Sequence, residues 1–565
     1  MKRIRAVATA FALLVCSLLA FGQSPAHAES YARISGGGST WSQNAIDQWR
    51  KTVNQYGMTV NYASTGSSIG RQQYADGAVD FAVSEIPYGT TEFGVREPPP
   101  KRGYAYMPIV AGGTAFMYNL KIGGKRVTNL RLSGSSIAKI FTGKITRWND
   151  QQIKDDNPSL TLPNRKIIPV VRSEGSGTTA QFTLWMSKQQ SGLWNDYCKR
   201  VGKPTPCSLT SNFPVLPGSG FIAQEGSQGV SGYTQQNYAE GAITYVEYSY
   251  AIAAHFPVVK VLNAAGYYTE PTAASVAVAL LQAQINQNKD SVNYLTQILD
   301  KVYTDPDRRT YPLSSYSYMI LPTSLDSPMT EDKGRTLGAF GYYFLCQGQA
   351  QAEPLGFSPL PKNLVQAGFD QLKKVPGVDV QNIKLDNCHN PTFSTDGSNT
   401  LAKTAPYPQS CDKQGPVQCL TGTAGTPDTV NTGKSGSAGG GAKATGGSGT
   451  GTANGGATTA GAGTAGATTA GATTAGATAT GGTGTTAGTT GQAIDPDTGL
   501  PAADAGGTSG GEDITASTVG VGAESFWGMR TWLMGLSALM LLAVVLLPPT
   551  LARRFSRTGR RDGRA

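Results

Sequence analysis

The sequence predicts an α/β domain, followed by a disordered linker and one transmembrane helix. Short apolar strands alternate with helices from about residue 31 onwards, no aromatic residue occurs in 421–520, and an uncharged apolar run covers 531–551. The predicted divisions of the 565 residues are a signal peptide at 1–28, the folded domain at 29–420, the linker at 421–526, the transmembrane helix at 531–551 and a basic cytosolic tail at 552–565.

The net charge of +10 does not indicate a nucleic-acid-binding protein. Lys2, Arg3 and Arg5 contribute +3 and the last thirteen residues contribute +5, so that the rest of the chain carries only +2. Binding of nucleic acid by a folded domain needs basic residues clustered on its surface. We therefore expect no nucleic-acid partner.

The two ends of the chain predict export and a membrane anchor. Residues 1–28 have a basic start, an apolar run and the small-x-small end Ala26-His27-Ala28, which is the layout of a cleaved secretory signal. As a helix, the run at 531–551 is about 30 Å long, the thickness of a bilayer core, and arginines follow it. These features predict a single-pass type I protein of the cell membrane, with its binding domain extracellular and its C-terminus in the cytosol.

The segment 421–526 is rich in Ala, Gly, Thr and Ser, which predicts a flexible tether. It lacks the apolar side chains with which a folded segment offsets the entropy of ordering. Its repeated pieces, such as GATTAGATTAGATAT, also lack the apolar positions of a solenoid repeat.

Cysteine usage agrees with export. Six cysteines remain after the signal peptide: Cys198, Cys207, Cys346, Cys388, Cys411 and Cys419. An even number in an exported chain indicates disulfides, and the short loops favour Cys198–Cys207 and Cys411–Cys419 without deciding the connectivity. The chain has only three histidines and no CxxC, so we expect no metal site and no cofactor.

Three times in the folded domain a strand runs into a Gly-, Ser- and Thr-rich turn that opens a helix. The turns are GGGST at 36–40, TGSSIG at 65–70 and RSEGSGTT at 172–179. Unpaired N–H groups in the first turn of a helix favour an anion, and hydroxyls add donors. Ordinary N-capping by serine or threonine explains each turn taken alone. Three such turns, one of which carries Arg172, together indicate an anion site.

Other phosphate-handling chemistry lacks support in the sequence. No GxxxxGK[ST] motif occurs, and no GxGxxG opens a helix after a strand. A hydrolase needs a base beside a nucleophile, and the exported part offers only His255 and His389, without a recognisable partner motif. We therefore expect that the protein is not an enzyme.

Five longer blocks resemble a known family, the phosphate-binding proteins of phosphate ABC importers (the PstS family). The blocks are GGGSTW at 36–41, VNYASTGSSIGRQQYADGAVDFAVSEIP at 60–87, SIAKIFTGKITRWND at 136–150, VVRSEGSGTTAQFT at 170–183 and GAITYVEYSYA at 241–251. Weaker similarity extends the resemblance to roughly residues 33–375.

The resemblance implies a set of ligands for inorganic phosphate. It comprises hydroxyls, backbone N–H groups, one guanidinium and one carboxylate, and the residues are Thr40, Trp41 (through its backbone N–H, where a phenylalanine is usual), Ser67, Glu85, Arg172, Ser176, Gly177 and Thr178. Glu174 is implied to support the site by pairing with Arg172.

Glu85 and Glu174 stand where the family usually has aspartates. Both keep the charge but add a methylene, which affects the depth of the pocket and the orientation of Arg172. The resemblance implies that Glu85 accepts the proton that phosphate keeps near neutral pH. Sulfate has no such proton and would leave a buried carboxylate facing an anion without a hydrogen bond.

The family fold implies two α/β lobes joined by two crossing strands, with a hinge. The predicted first lobe is about 31–114 plus 255–380 and the second about 119–241, with the crossings near 114–120 and 242–247. Tyr245, Tyr248 and Tyr250, in and just after the second crossing, are expected to pack at the hinge.

The implied function is extracytoplasmic binding of inorganic phosphate for import by an ABC transporter. The expected partners are phosphate, the permease subunits of the importer, and the cell membrane through the C-terminal helix. The alternative is a surface-anchored phosphate or oxyanion sensor or scavenger that is not coupled to transport, and a secreted phosphate-ester hydrolase ranks below it.

Overall fold

The computed structural model describes residues 31–291 and 293–428. The predicted signal peptide, the transmembrane helix, the basic tail and the linker from residue 429 onwards lie outside the described residues. Within the described ranges, no helix is both long enough and apolar enough to cross a membrane.

The described chain alternates strands and helices along most of its length. The strands are β1 Ile34–Gly38, β2 Val60–Ala63, β3 Phe81–Ser84, β4 Thr91–Glu92, β5 Val95–Arg96, β6 Tyr104–Tyr118, β7 Lys121–Ile122, β8 Lys125–Arg126, β9 Arg131–Leu132, β10 Ile168–Arg172, β11 Ile222–Gln224, β12 Ala242–Glu247, β13 Lys260–Leu262, β14 Tyr268–Thr269, β15 Gln284–Ile285, β16 Gln297–Ile298 and β17 Ser314–Pro322. The α-helices are α1 Gln43–Asn54, α2 Ser67–Ala75, α3 Gly134–Phe141, α4 Gln151–Asp156, α5 Gly177–Gln189, α6 Ser191–Arg200, α7 Gly226–Gln235, α8 Tyr248–Ala254, α9 Ala273–Ala279, α10 Asp300–Tyr303, α11 Glu331–Leu345, α12 Lys362–Leu372 and α13 Thr400–Thr404.

Eight strands form one sheet, in the order β11-β10-β12-β6-β17-β3-β1-β2. One end of this sheet is the parallel group β1, β2 and β3, and the other end is the parallel group β10, β11 and β12. Each parallel group carries its own helices, as parallel strands require. The molecule therefore has two α/β lobes, which confirms the predicted two-lobed fold.

The 15-residue strand β6 joins the two lobes. Its residues 104–113 pair with β17 in the first lobe, and its residues 114–118 pair with β12 in the second. The antiparallel partners Thr114 and Glu247 lie at the changeover. β12 coincides with the predicted second crossing at 242–247, and the end of β6 overlaps the first at 114–120.

The second lobe contains more of the chain than the sequence analysis assigned to it. β13 pairs with β9 and β14, and Val258 bridges Met117 of β6, so residues 258–269 belong to the second lobe and the assignment of 255–380 to the first is wrong in this part. Because these are pairings between segments distant in sequence, local patterns do not reveal them.

The packed chain also continues beyond the predicted domain boundary at residue 420. Thr423 is fully buried and exchanges hydrogen bonds with the backbone of Val258, and the N–H of Ala424 donates to Glu270 at 2.6 Å. Arg131 donates to the carbonyls of Cys411 and Val417, and so holds this C-terminal segment against the second lobe.

The first lobe is built around the apolar face of α1. Ala45, Trp49 and Val53 of this helix are fully buried. The Trp49 ring stacks on Phe344 of α11 at 4.9 Å, and its Nε1 donates to the carbonyl of Gly348 at 3.0 Å. Because α1 follows β1 directly, this packing fixes the turn between them.

The predicted disulfides are confirmed, and the structure decides their connectivity. The pairs are Cys198–Cys207, Cys346–Cys388 and Cys411–Cys419. The first and third are the short loops that the spacing favours. The second closes a loop of 42 residues, and the sequence alone left this pairing open.

Candidate functional site

The Gly-, Ser- and Thr-rich turns meet where the two lobes face each other. The first lobe contributes the residues after β1, the start of α2 and the residue after β3; the second contributes the end of β10 and the start of α5. We call the seven residues whose predicted ligand atoms come together here the cradle: Thr40, Ser67, Glu85, Arg172, Ser176, Gly177 and Thr178. All seven are buried.

Glu85 is the acidic centre of the cradle, with only 1% of its surface exposed. Its Oε1 accepts the hydroxyls of Ser39 and Ser317 at 2.5 and 2.8 Å, and its Oε2 accepts the hydroxyl of Ser67 at 2.8 Å. A carboxylate has about four acceptor positions. Three are filled by hydroxyls, so one remains on Oε2 for a further donor.

Arg172 is the basic centre and is also buried. Its Nη1 donates to the hydroxyls of Thr178 and Ser227 at 3.2 and 3.3 Å, and its Nη2 donates to the Thr40 hydroxyl at 2.7 Å. The Nη2 atom is also paired with Glu174. The guanidinium therefore connects Thr40 of the first lobe to the second lobe.

Glu174 makes two contacts with its one carboxylate. Oε1 is paired with Arg172, while Oε2 accepts the N–H of Gly226, the first residue of α7, at 3.1 Å. Glu174 thus forms the ion pair with Arg172 that the family resemblance implies for an aspartate at this position. It also bridges Arg172 to α7.

The N-terminus of α5 completes the floor of the cradle. Ser176 caps this helix through a bond from the N–H of Thr179 at 3.2 Å, and the N–H of Gly177 donates to the Ser67 hydroxyl at 3.1 Å. Gln181, one turn further, donates to the carbonyl of Glu85 at 2.8 Å. These bonds join α5 of the second lobe to the first lobe.

Trp41 has a different place from the other predicted ligand residues. Its backbone N–H donates to the hydroxyl of Ser39 at 3.0 Å. Its ring is buried and contacts Phe357 edge-on, with centroids 5.7 Å apart. The Trp41 N–H is therefore linked to Glu85 through the Ser39 hydroxyl, which accepts from Trp41 and donates to Glu85. The Trp41 side chain packs in the first lobe.

Buried tyrosines support the cradle from the hinge. The Tyr245 hydroxyl is 2.9 Å from the Thr179 hydroxyl, and the Tyr250 hydroxyl donates to the carbonyl of Thr40 at 2.6 Å. Burial raises the pKa of both phenols, so they remain neutral donors. They are packing and supporting groups, as the sequence analysis expected.

The sequence analysis missed three residues of this site: Ser39, Ser227 and Ser317. Ser39 lies inside the GGGST turn and was named there only as part of the motif. Ser227 is the second residue of α7, which belongs to a fourth strand–turn–helix unit in which Glu225 connects β11 to the helix. That pattern was a usable signal. Ser317 lies within β17 and carries no local signal.

Gly177 has no room for a side chain. A Cβ built on this residue lies 1.9 Å from Oε2 of Glu85 and 2.6 Å from the Ser67 hydroxyl. We expect Gly177→Ala to displace Glu85 or separate the lobes, and to weaken ligand binding by roughly tenfold or more, as for a loss of one or two buried hydrogen bonds. Calorimetric titration with phosphate measures it.

Gly192→Ala is the matched control for this substitution. Gly192 lies in the first turn of α6, where an added Cβ meets no atom within 4 Å. The control is expected to bind like the wild type. Equal affinities of the two variants would contradict the close contact between α5 and Glu85.

A hairpin at the rim of the cleft makes a second connection between the lobes. In the β4–β5 hairpin of the first lobe, Oε2 of Glu92 accepts the Thr210 hydroxyl and the Ser211 N–H of the second lobe, both at 2.8 Å. The carbonyl of Ser211 accepts the N–H of Ser176, the cap of α5, at 2.9 Å. Glu92 is thus linked through Ser211 to the cradle.

We expect Glu92→Ala to weaken phosphate binding roughly 5- to 30-fold, because the closed arrangement of the lobes loses two hydrogen bonds to a charged acceptor. Calorimetric titration with phosphate measures the effect. The control is Glu240→Ala, which removes a carboxylate that pairs at the surface with Arg165 of the same lobe. An unchanged affinity in Glu92→Ala would show that the hairpin contributes nothing to closure.

The two histidines that the hydrolase alternative would need are both exposed. His255 ends α8 and His389 follows a short turn at Leu385–Cys388. No hydrogen bond or ion pair in the described part of the chain links either one to a cradle residue.

A two-lobed α/β domain with buried polar groups converging from both lobes is the architecture of a protein that binds a solute between its lobes. The family model of the PBP superfamily domain matches residues 23–347. The phosphate-binding protein PstS of Xylella fastidiosa (strain Temecula1) is 32% identical over 337 residues, which cover 59% of this chain and 83% of the relative.

Other relatives agree with this assignment. The PstS of Haemophilus influenzae is 30% identical, over 60% of this chain and 92% of its own. The PstS 3 of Mycobacterium tuberculosis (strain H37Rv) is 28% identical, over 58% of this chain and 82% of its own. The chain therefore belongs to the PBP superfamily and, within it, to the PstS family of phosphate-binding proteins.

Proposed function

We propose that this protein binds inorganic phosphate outside the cytoplasmic membrane and delivers it to an ABC importer. The observation that carries the proposal is that one buried cradle contains both a guanidinium, Arg172, and a separate carboxylate, Glu85. Arg172 is surrounded by hydroxyls on one side, and Glu85 keeps one free acceptor position on the other. A tetrahedral oxyanion that also carries a proton matches both groups.

The hydroxyls of the cradle suit phosphate because each can accept a hydrogen bond from the protein and donate one to the anion. Thr40 and Thr178 accept from Arg172 and can donate their own protons to an anion, and Ser67 presents a hydroxyl beside the N-terminus of α5. Charge-assisted bonds of this kind are about twice as strong as neutral ones. The helix ends of α2 and α5 add a further positive potential.

Calorimetric titration of the full-length chain in detergent with phosphate and with sulfate tests the proposal. We expect saturable phosphate binding, and sulfate binding weaker by roughly 100-fold or more, since sulfate cannot donate to Glu85. Absence of phosphate binding, or equal binding of both anions, would overturn the proposal.

We also propose that the predicted helix at 531–551 anchors the protein, so that a tethered domain works beside its importer. The support is the sequence: an uncharged apolar run followed by arginines. A chain that ends at residue 526 is expected to leave the membrane fraction, while the full chain stays in it. Recovery of both in the same fraction would contradict the anchor.

The transport role rests on membership of the PstS family. Cells that rely on this protein for phosphate uptake at low phosphate are expected to lose uptake when Arg172 is replaced by alanine. Unchanged uptake would contradict the role in transport, while the proposal that the protein binds phosphate would still stand.

A further inference from the structure

The first two N–H groups of α7 donate to Glu174 and to Thr40 of the cradle. Glu225 precedes this helix, yet its side chain makes no capping bond. Gly226 has a φ of +69°, a conformation that favours glycine, and its N–H donates to Glu174. The next N–H, of Ser227, donates to the Thr40 hydroxyl at 3.1 Å. This helix end is satisfied by site residues and not by its own cap.

The Ser227 side chain lies in the same place as the hydroxyls of two predicted ligand residues. Its Oγ is 2.9 Å from the Thr40 hydroxyl and 3.3 Å from Nη1 of Arg172, and the residue is fully buried. Thr40 and Thr178 also accept from the two Nη atoms of Arg172. Three hydroxyls therefore surround one guanidinium, and the family resemblance accounts for two of them.

The guanidinium at the centre of this group has an unused donor. The Arg172 side chain is only 1% exposed, and its Nε has no hydrogen-bond partner in the described part of the chain. An unpaired buried donor costs free energy, and a bound acceptor removes the cost. An anion bound beside Arg172 would therefore stabilise this guanidinium, and Ser227 contacts the same guanidinium.

We propose that Ser227 is a further phosphate-binding residue, and that the start of α7 is a fourth helix end of the binding site. The inference rests on the proposed function, because the ligand is the same oxyanion. The Ser227 hydroxyl donates to an oxygen of the anion held by Arg172. The first-turn N–H groups of α7, a helix of ten residues, add the same favourable potential as those of α5.

Glu174 has a corresponding role as a positioning residue. Its carboxylate holds Arg172 with one oxygen and the first N–H of α7 with the other. It thereby fixes the distance between the guanidinium and Ser227.

The experiment compares Ser227→Ala with Ser231→Ala in the full-length chain. Ser231 is a buried serine one turn later on α7, and its hydroxyl donates back to the carbonyls of Ser227 and Gln228 within the helix. Phosphate affinity is measured by calorimetry, and thermal unfolding is measured with and without phosphate. We expect Ser227→Ala to weaken phosphate binding roughly 10- to 100-fold, as for a lost hydrogen bond to a charged group, and Ser231→Ala to change it less than about twofold.

The thermal measurement separates a ligand contact from a structural role. We expect the two variants to have similar unfolding temperatures without phosphate, and the rise that saturating phosphate produces to be smaller in Ser227→Ala. Equal affinity of Ser227→Ala and wild type, or equal weakening in both variants, would overturn the inference while leaving the proposed function intact. If the wild type binds no phosphate, the proposed function fails and the inference fails with it.

Discussion

Replacing Arg172 with alanine is expected to abolish phosphate binding in the concentration range of calorimetry. The side chain makes four hydrogen bonds inside the protein, and it is the cradle's only positive charge. Truncating one partner of a buried, hydrogen-bonded charge pair costs about 2–5 kcal/mol, which corresponds to a loss of affinity of roughly 30- to 4,000-fold. The actual loss is expected at the upper end, because Glu85 and Glu174 would then face the anion without compensation.

Arg172→Lys tests which property of the arginine matters. Lysine keeps the charge, but it is a point charge on a flexible chain and cannot make the planar fork that reaches Thr40 and Thr178 together. We therefore expect Arg172→Lys also to bind phosphate much more weakly than the wild type. Near-normal affinity in the lysine variant would show that charge alone holds the ligand.

The control for both variants is Arg165→Ala, which removes an exposed arginine of the same lobe. Surface pairs of this kind contribute about 0–1 kcal/mol, so its phosphate affinity and its unfolding should stay close to those of the wild type. Arg172→Ala also leaves Glu174 buried without its partner, and we expect it to lower the unfolding temperature. Normal phosphate affinity in Arg172→Ala would place the binding site elsewhere.

Replacing Glu85 with glutamine is expected to remove the discrimination between phosphate and sulfate. A carboxylate only accepts hydrogen bonds, so it requires a proton on the ligand, whereas an amide also donates and suits an anion without one. We expect phosphate affinity to fall by about tenfold or more and sulfate affinity to rise, so that the two come close together. Parallel calorimetric titrations with the two anions measure the ratio.

Glu247→Gln is the matched control for this change. Glu247 is also a buried glutamate, at the end of β12, and its Oε2 accepts the N–H of Ser249 at 2.7 Å. Burial raises the pKa of Glu247, which favours the uncharged carboxyl group that the amide of glutamine resembles. The ratio of phosphate to sulfate affinity should not change. If Glu85→Gln keeps the wild-type ratio of phosphate to sulfate affinity, the Glu85 carboxylate does not select phosphate by accepting its proton.

Local sequence signals predicted the parts of the site that lie within single turns. A strand that ends in glycine, serine and threonine before a helix places hydroxyls and free N–H groups at one point, whatever the rest of the chain does. For this reason the turns at 36–40, 65–70 and 172–179 could be named in advance as parts of an anion site. The choice of Thr40, Ser67, Ser176, Gly177 and Thr178 within those turns came from the family resemblance. Ser227 follows the same rule at the start of α7, so the sequence contained that signal as well.

Contacts between distant segments could not be predicted in this way. Ser317 reaches Glu85 because β17 lies between β3 and β6 in the sheet, and no property of the segment 314–322 indicates that order. The same holds for β13, which the family resemblance led us to assign to the first lobe and which parallel pairing with β9 places in the second. Such pairings depend on which buried surfaces fit together.

The sequence by itself determined the class of domain, the two lobes through the family resemblance, and the residue types that would face an anion. Tertiary structure decided how these residues share their hydrogen bonds. Only the folded chain shows that three serines converge on Glu85, that Glu174 joins Arg172 to α7, and that Cys346 pairs with Cys388. The physical reason is that turns and helix ends are fixed by neighbouring residues, whereas the partners of a buried polar group are fixed by the packing of segments far apart in the chain.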